Sequence, residues 1–131
     1  MKIFGIGTDI VNIKRIEKLI KKDGKTFKKR IFSKKETIYC EKKKIPSRFY
    51  AKRFAAKEAF SKALGTGIRN GIDFKDIEVS NDKLGKPFIK LKGSTAKFIK
   101  KKMKNKKYLV YLSLSDDAPW AQATVIICSI K

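Results

Sequence analysis

Arg53-Phe54-Ala55-Ala56-Lys57-Glu58-Ala59-Phe60-Ser61-Lys62-Ala63-Leu64-Gly65 is the one long stretch of this chain that a solvated, lysine-rich face does not explain. Alanine, the strongest helix former, recurs at 55, 56, 59 and 63, and Gly65 stands where a helix would stop. On that helix Ala55, Ala59, Phe60, Ala63 and Leu64 make an apolar stripe for packing. Lys57 and Glu58 point to neighbouring flanks, while Glu58 and Lys62, four residues apart, share one face. A carboxylate and a lysine therefore stand at the edge of a buried helix. Taken alone, they are either a solvated ion pair or part of a site.

A chain of 131 residues makes one domain spanning 1–131, long enough for a proper core and too short for two. Hydrophobic residues are 42% of it, with nine Phe and four Tyr, which marks a folded chain. No apolar run approaches the ~20 residues of a membrane span, so no membrane role is expected. After Lys2 the first apolar stretch is short and holds glycines and Asp9, unlike a signal peptide. Cys40 and Cys128 lack metal-ligand spacing and histidine is absent, which argues against zinc and for a reduced, cytoplasmic chain. The net charge of +22 asks for a polyanionic partner: nucleic acid, an acidic surface, an acidic protein or a phosphorylated ligand. Charge alone does not choose among them.

Upstream, Lys2 to Val11 (KIFGIGTDIV) reads as a strand whose apolar content comes from Ile3, Phe4, Ile6, Ile10 and Val11. Gly5 and Gly7 weaken a strand and commonly mark close approach of another backbone or of a ligand. Asp9 is the anomaly: a carboxylate beside Ile10 and Val11 sits in water, in a turn, or against a cation. Asn12 caps a helix that buries Ile13, Ile16, Leu19 and Ile20 and ends at Asp23-Gly24. Thr26 to Phe32 is a short basic helical turn, and Ser33-Lys34-Lys35-Glu36 is a capping box opening a helix to about Lys43. Lys42 to Lys44 and Pro46 form the break before the long helix, with Ser47 as its cap. Beyond Gly65 a glycine-bearing loop runs from Thr66 to Asp73.

Asp76 to Ser80 and Pro87 to Lys92 form a hairpin, and Ser94 caps a helix to about Asn105 with Ala96, Ile99 and Met103 inward. Lys107 to Ser115 and Trp120 to Ile130 form a second hairpin. The β-branched content of its last strand predicts a central place in the sheet.

Two segments together carry a resemblance. GIGTDIVNIKRI (Gly5 to Ile16) and RFAAKEAFSKALGTGI (Arg53 to Ile68) closely resemble, in order and spacing, the two signature motifs of holo-acyl-carrier-protein synthases, the small bacterial 4′-phosphopantetheinyl transferases. Three further stretches look similar: Phe27 to Ile31 with the helix start after it, the IEVSNDKLGKPFI hairpin, and the LSLS…AQATVII hairpin. The resemblance implies an α+β fold, a small antiparallel sheet around a long central helix, assembled as a homotrimer with active sites at subunit interfaces. It also implies transfer of 4′-phosphopantetheine from coenzyme A to a serine of an acidic apo acyl carrier protein, in support of fatty acid biosynthesis. Adenosine 3′,5′-bisphosphate is the other product.

That chemistry gives the anomalies a use. Phosphoryl-type transfer needs its oxygens neutralised and the nucleophile held in line. Mg²⁺ takes one or two carboxylates plus phosphate oxygens and waters, and Asp9 and Glu58 match the metal-binding acids of the two motifs, with Mn²⁺ the other candidate. Lys62, one turn from Glu58, meets the phosphates, and Arg53, on the same helix, is a second phosphate contact. By resemblance Phe54, Lys57, Gly65, Lys86, Pro87, Ser113, Leu114, Ser115 and Asp116 surround coenzyme A. For Lys57 an exposed lysine is an equal alternative. Either Glu58 or a water on the metal takes the serine proton, and the water route is favoured because a ligating carboxylate is a poorer base. Arg15, Leu19, Phe27 and Arg30 correspond to the carrier-docking region. One departure is Asp116, where family members often carry histidine; a carboxylate there repels a phosphate.

Two other classes compete. A nucleic-acid-binding module rests on charge only, with aromatics dispersed among apolar residues and no recognition motif. A family member that binds coenzyme A or carrier without catalysis rests on Asp116.

Overall fold

The computed structural model describes residues 1–69 and 71–130. Alternation makes the first element: odd and even side chains turn to opposite faces along strand β1 (Lys2–Asn12). The side chain of Asn12 then accepts from the N–H of Lys14 at 2.9 Å, the predicted cap of helix α1 (Ile13–Ile31). α1 kinks at Asp23, where the sequence predicted a break. Ser33 and Glu36 close the capping box that starts α2 (Lys34–Glu41). Helix α3 (Pro46–Leu64) begins on proline at its first turn, not on a serine cap; the Ser47 hydroxyl instead donates to Glu17. It stops, as predicted, on left-handed Gly65 with φ 83°. A 3₁₀ turn, Phe74–Asp76, leads into the hairpin β2 (Ile77–Asn81) and β3 (Pro87–Leu91). In α4 (Gly93–Lys102) the expected Ser94 cap is absent, because its hydroxyl donates to Gly71 O and to Asp76. The closing hairpin is β4 (Lys107–Asp117) and β5 (Trp120–Ile130).

β5 lies between β1 and β4 in an antiparallel sheet, as its composition predicted, and β2 and β3 pair separately. The result is the expected α+β architecture, with α3 buried against the larger sheet and Ile16, Tyr50, Phe60, Ile77, Val125 and Ile127 in the core.

The two glycines of β1 set how closely that packing is made. A Cβ added to Gly5 would stand 1.9 Å from the Ala63 carbonyl oxygen, and one on Gly7 1.9 Å from that of Ala59. Glycine on the strand meets the backbone of Ala59 and Ala63 on the helix, and nothing larger fits on the strand side. The strand's large apolar residues therefore turn the other way. Ile6 and Ile10 are 63% and 61% exposed, and of the five apolar residues read from the sequence only Val11 joins the core. Ile6, Ile126 and Tyr111 form one cross-strand row on that outer face.

Replacing Gly7 by alanine is expected to cost about 3 kcal/mol, the upper end for overpacking, since backbone must move. Gly24→Ala, whose Cβ meets nothing closer than 3.8 Å, serves as control and stays near wild type in denaturant unfolding.

Candidate active site

Close approach of β1 to α3 puts Asp9, two residues beyond Gly7 on the inner face, within reach of the helix. Lys62 Nζ donates to Asp9 Oδ1 and to the Thr8 carbonyl, both at 3.0 Å. The Glu58–Lys62 pair suggested by their spacing does not form; the lysine bridges to the strand instead. Glu58 stands on the same side. Burial first, and then the negative charge of Asp9, push its carboxyl above the usual range, while Lys62 and Arg15 pull it back. Thr8, Asp9, Ile10, Lys62 and Gln122 line one open recess beside it.

The donor set fits a hard divalent cation. The charge of Asp9 acts on Glu58, and the chain has no histidine to join them. Among the described residues no group of three acidic, His or Cys side chains gathers to hold a metal alone. Two carboxylates and open coordination positions suit an ion shared with a phosphorylated ligand.

The opposite side of α3 corrects two expectations. Nine residues separate Arg53 from Lys62, roughly half a turn around the helix axis, so Arg53 faces away from the Asp9 recess. Its guanidinium lies 4.1 Å over the Tyr39 ring and donates to Asn81 Oδ1 at 2.8 Å. Lys57 neither faces solvent nor has a donor free for coenzyme A. It is fully buried, and its three N–H groups go to Glu36 Oε1 at 2.7 Å, Phe74 O at 2.8 Å and Ile77 O at 2.6 Å. Burial pushes its ammonium below the ordinary lysine range, opposed by the charge and hydrogen bond of Glu36. Glu36 is equally engaged, accepting also from Ser33 N at 2.9 Å and Val79 N at 3.1 Å.

The remaining candidates scatter over the chain. Phe54 is half-buried and stacks on Phe74 with centroids 5.8 Å apart. Gly65 is exposed at the end of α3, and Lys86 and Pro87 sit at the β2–β3 turn. Ser113 and Ser115 lie on the outer face of β4, whereas Leu114 turns inward to the core. Asp116 does not stand as an isolated repelling charge: Lys52 Nζ lies 3.0 Å and an Arg48 nitrogen 3.9 Å from its oxygens. Of the docking residues, Arg15, Leu19 and Arg30 are exposed, which removes Leu19 from the predicted buried stripe of α1. Phe27 is buried against Phe32 and Phe54, and so is a core residue and not a surface anchor.

Sequence reasoning missed the pairing of Glu36 with Lys57, the Lys52–Asp116 pair, and Asn81. Glu36 was visible as a capping-box residue, but nothing local says that its second oxygen and its charge are spent elsewhere. In the sequence Asn81 stands between the two predicted strands of a hairpin, where nothing local points to Arg53.

Residues 5–123 match the model of the 4′-phosphopantetheinyl transferase superfamily. The holo-[acyl-carrier-protein] synthase of Pelagibacter ubique is 48% identical over 127 residues, 97% of this chain and 98% of that protein. The crystal structure of holo-[acyl-carrier-protein] synthase from Neisseria meningitidis is similar with a TM-score of 0.86 and 41% identity, covering 98% of this chain and 99% of that one. The Helicobacter pylori enzyme in complex with coenzyme A is similar with a TM-score of 0.81 and 36% identity, covering 94% and 99%.

Two stability measurements follow from the charges. Lys57→Met leaves Glu36 buried and uncompensated, and is expected to cost about 3–5 kcal/mol in denaturant unfolding. Glu58→Gln has the opposite sign. A carboxyl pKa raised in the fold means that the charged form disfavours folding, so at pH 7–8 in metal-free buffer this variant melts above wild type. The gain fades as pH falls through the raised value of Glu58 toward that of an ordinary carboxylate.

Proposed function

The chain belongs to the 4′-phosphopantetheinyl transferase superfamily and transfers 4′-phosphopantetheine from coenzyme A to an apo acyl carrier protein; we propose that Asp9, Glu58 and Lys62 carry that reaction. One observation carries the assignment: a strand carboxylate and a helix lysine, 3.0 Å apart, line one open recess, and both act by charge on a helix carboxylate of raised pKa. Asp9 and Glu58 hold a divalent cation, Mg²⁺ or Mn²⁺, which when bound neutralises pyrophosphate oxygens. Lys62, a mobile ammonium, takes up the charge that develops on the nucleotide's 5′-phosphate as the pyrophosphate bond breaks. The carrier's serine Oγ forms the new bond to the pantetheine-bearing phosphorus. A water directed by Glu58 or Asp9 takes the serine proton, because a carboxylate that holds the cation is itself a poorer base.

The carrier docks on α1 beside this recess. Arg15 is exposed and close enough for its charge to act on Glu58, and Leu19 adds an apolar contact on the same helix. An acidic carrier is drawn by the +22 chain over a longer range. Nucleic acid is the weaker reading, since the cations with known partners serve carboxylates, carbonyls and rings within the protein. The product supports fatty acid biosynthesis in the cytoplasm.

The active enzyme is a homotrimer with sites between copies. Two features support this. The outer face of the larger sheet exposes Ile6, Ile10, Tyr111 and Trp120, an apolar surface suited to a second copy. Lys62 and the Lys86–Pro87 turn, which Asn81 ties to the other face of α3, also lie on opposite sides of that helix, so a ligand meeting both would sit between neighbouring molecules.

Incubated with Mg²⁺ and coenzyme A, an apo carrier is expected to gain the mass of one phosphopantetheine. Asp9→Asn and Glu58→Gln each lower kcat/KM by more than about 100-fold while the fold remains, and chelation abolishes transfer. Retained activity in Glu58→Gln removes Glu58 from the site. Sedimentation gives three copies for wild type, and Ile6→Glu with Tyr111→Glu gives smaller species of low activity.

A further inference from the structure

Arg53 is the most conspicuous unmatched charge in the molecule. It is 2% exposed, its Nε finds no acceptor, and no carboxylate lies within ion-pair distance among the described residues. The acids nearest in the fold are already engaged: Glu36 with Lys57, and Glu78 with Lys92 at 2.9 Å. Three cations thus share two carboxylates around the root of the β2–β3 hairpin. A guanidinium has five donors, and among the described residues one of them finds an acceptor, Asn81 Oδ1. A charge held this way is stable only where rigid surroundings impose it.

What holds it is Asn81, the last residue of β2. Its Oδ1 accepts from Arg53 at 2.8 Å, and its Nδ2 donates to Gly85 O at 2.9 Å. One side-chain amide therefore spans from helix α3 to the far side of the turn that carries Lys86 and Pro87. The turn has a second internal fixture, since Asp82 Oδ1 accepts from the N–H groups of Leu84 and Lys86, both at 2.9 Å. Asp82 ties the turn to itself. Among these side-chain bonds, Asn81 is the one that ties the turn to the helix.

We propose that Asn81 is a positioning residue for coenzyme A: it fastens the Lys86–Pro87 turn to the buried Arg53 guanidinium, so that the turn meets the ligand's phosphorylated nucleotide end in a fixed pose and a positive field. This rests on the function proposed above and on the resemblance by which Lys86 and Pro87 lie beside coenzyme A. The amide is suited to the task because it accepts and donates at once. A carboxylate would pair better with Arg53 and lose the donor to Gly85, and alanine would lose both bonds.

Asn81→Asp and Asn81→Ala therefore separate positioning from stability. The aspartate gives Arg53 an ion-pair partner and is expected to raise the melting temperature, while the alanine lowers it. Both raise KM for coenzyme A, by about 5-fold or more, with kcat and KM for the carrier changed less than about 2-fold. Both also weaken binding of adenosine 3′,5′-bisphosphate measured by calorimetry at a fixed salt concentration. If KM follows stability instead, wild-type in Asn81→Asp and raised only in Asn81→Ala, Asn81 has a structural role alone and the proposal is wrong. A change in kcat at unchanged KM overturns it equally. Failure of the underlying function is separately visible, because wild-type protein would then leave the apo carrier unmodified.

Discussion

The fold depends on a strand backbone lying against a helix backbone with no side chain between them. Gly5 and Gly7 offer no Cβ, Ala59 and Ala63 offer the smallest one available, and the carbonyl oxygens of α3 occupy the space that any larger residue on β1 would need. Each consequence for the site follows from that closeness. Asp9 lies two residues farther along the same face of β1, so it reaches the helix at a depth where Lys62 can bridge to it. Glu58, on the flank of the same helix, then feels both the carboxylate and the loss of solvent. The same closeness forces the strand's larger residues outward, where they make the apolar face that suits a second copy. Site and assembly surface are two sides of one packing constraint.

A buried ion pair organises the other side of α3. Lys57 and Glu36 have every polar position filled, joining α3, the cap of α2, the 3₁₀ turn and the first residues of β2. Isolated buried charges cost several kcal/mol each, and such a pair is tolerated only when its remaining donors and acceptors are satisfied, as these are. Adjacent residues of one motif therefore do unlike work. Glu58 turns toward the recess, and Lys57, one position earlier, holds the scaffold that keeps α3 in place. A motif recorded as a string of letters merges chemistry with framework; helical phase separates them.

That division explains what was legible in the sequence. Element types and most boundaries came from local physics: the Asn12 and Ser33 caps, the Asp23 break, left-handed Gly65, and β-branched β5 at the sheet centre. Asp9 was legible as an anomaly, and Gly5 and Gly7 as signs of close approach. Long-range pairing was not legible. Four-residue spacing pointed Lys62 at Glu58, but a strand from the other end of the chain supplied the carboxylate it reaches. Arg53 reads as a phosphate contact and Lys57 as a coenzyme contact or an exposed lysine, and only the fold shows that α3 is surrounded on their side as well. Phe27 had the composition of a surface anchor beside Arg30, yet the kink at Asp23 turns it onto Phe32 and Phe54.

Asp116 shows why charge has to be counted in place. As a letter in the terminal hairpin it argues against an anionic ligand, because a carboxylate repels a phosphate. In the fold it turns inward to α3, where Lys52 and Arg48 lie on the sheet-facing side. One negative charge meets two positive ones, so the local balance stays positive. The aliphatic stem of Lys52 is largely covered, and its ammonium also lies 4.3 Å from the Phe49 ring centre, so the pair is held in a defined geometry. The cations beside Asp116 are contributed by α3 and outnumber it. The non-catalytic reading suggested by this residue therefore loses its physical basis, since the repulsion on which it relied is already neutralised within the chain.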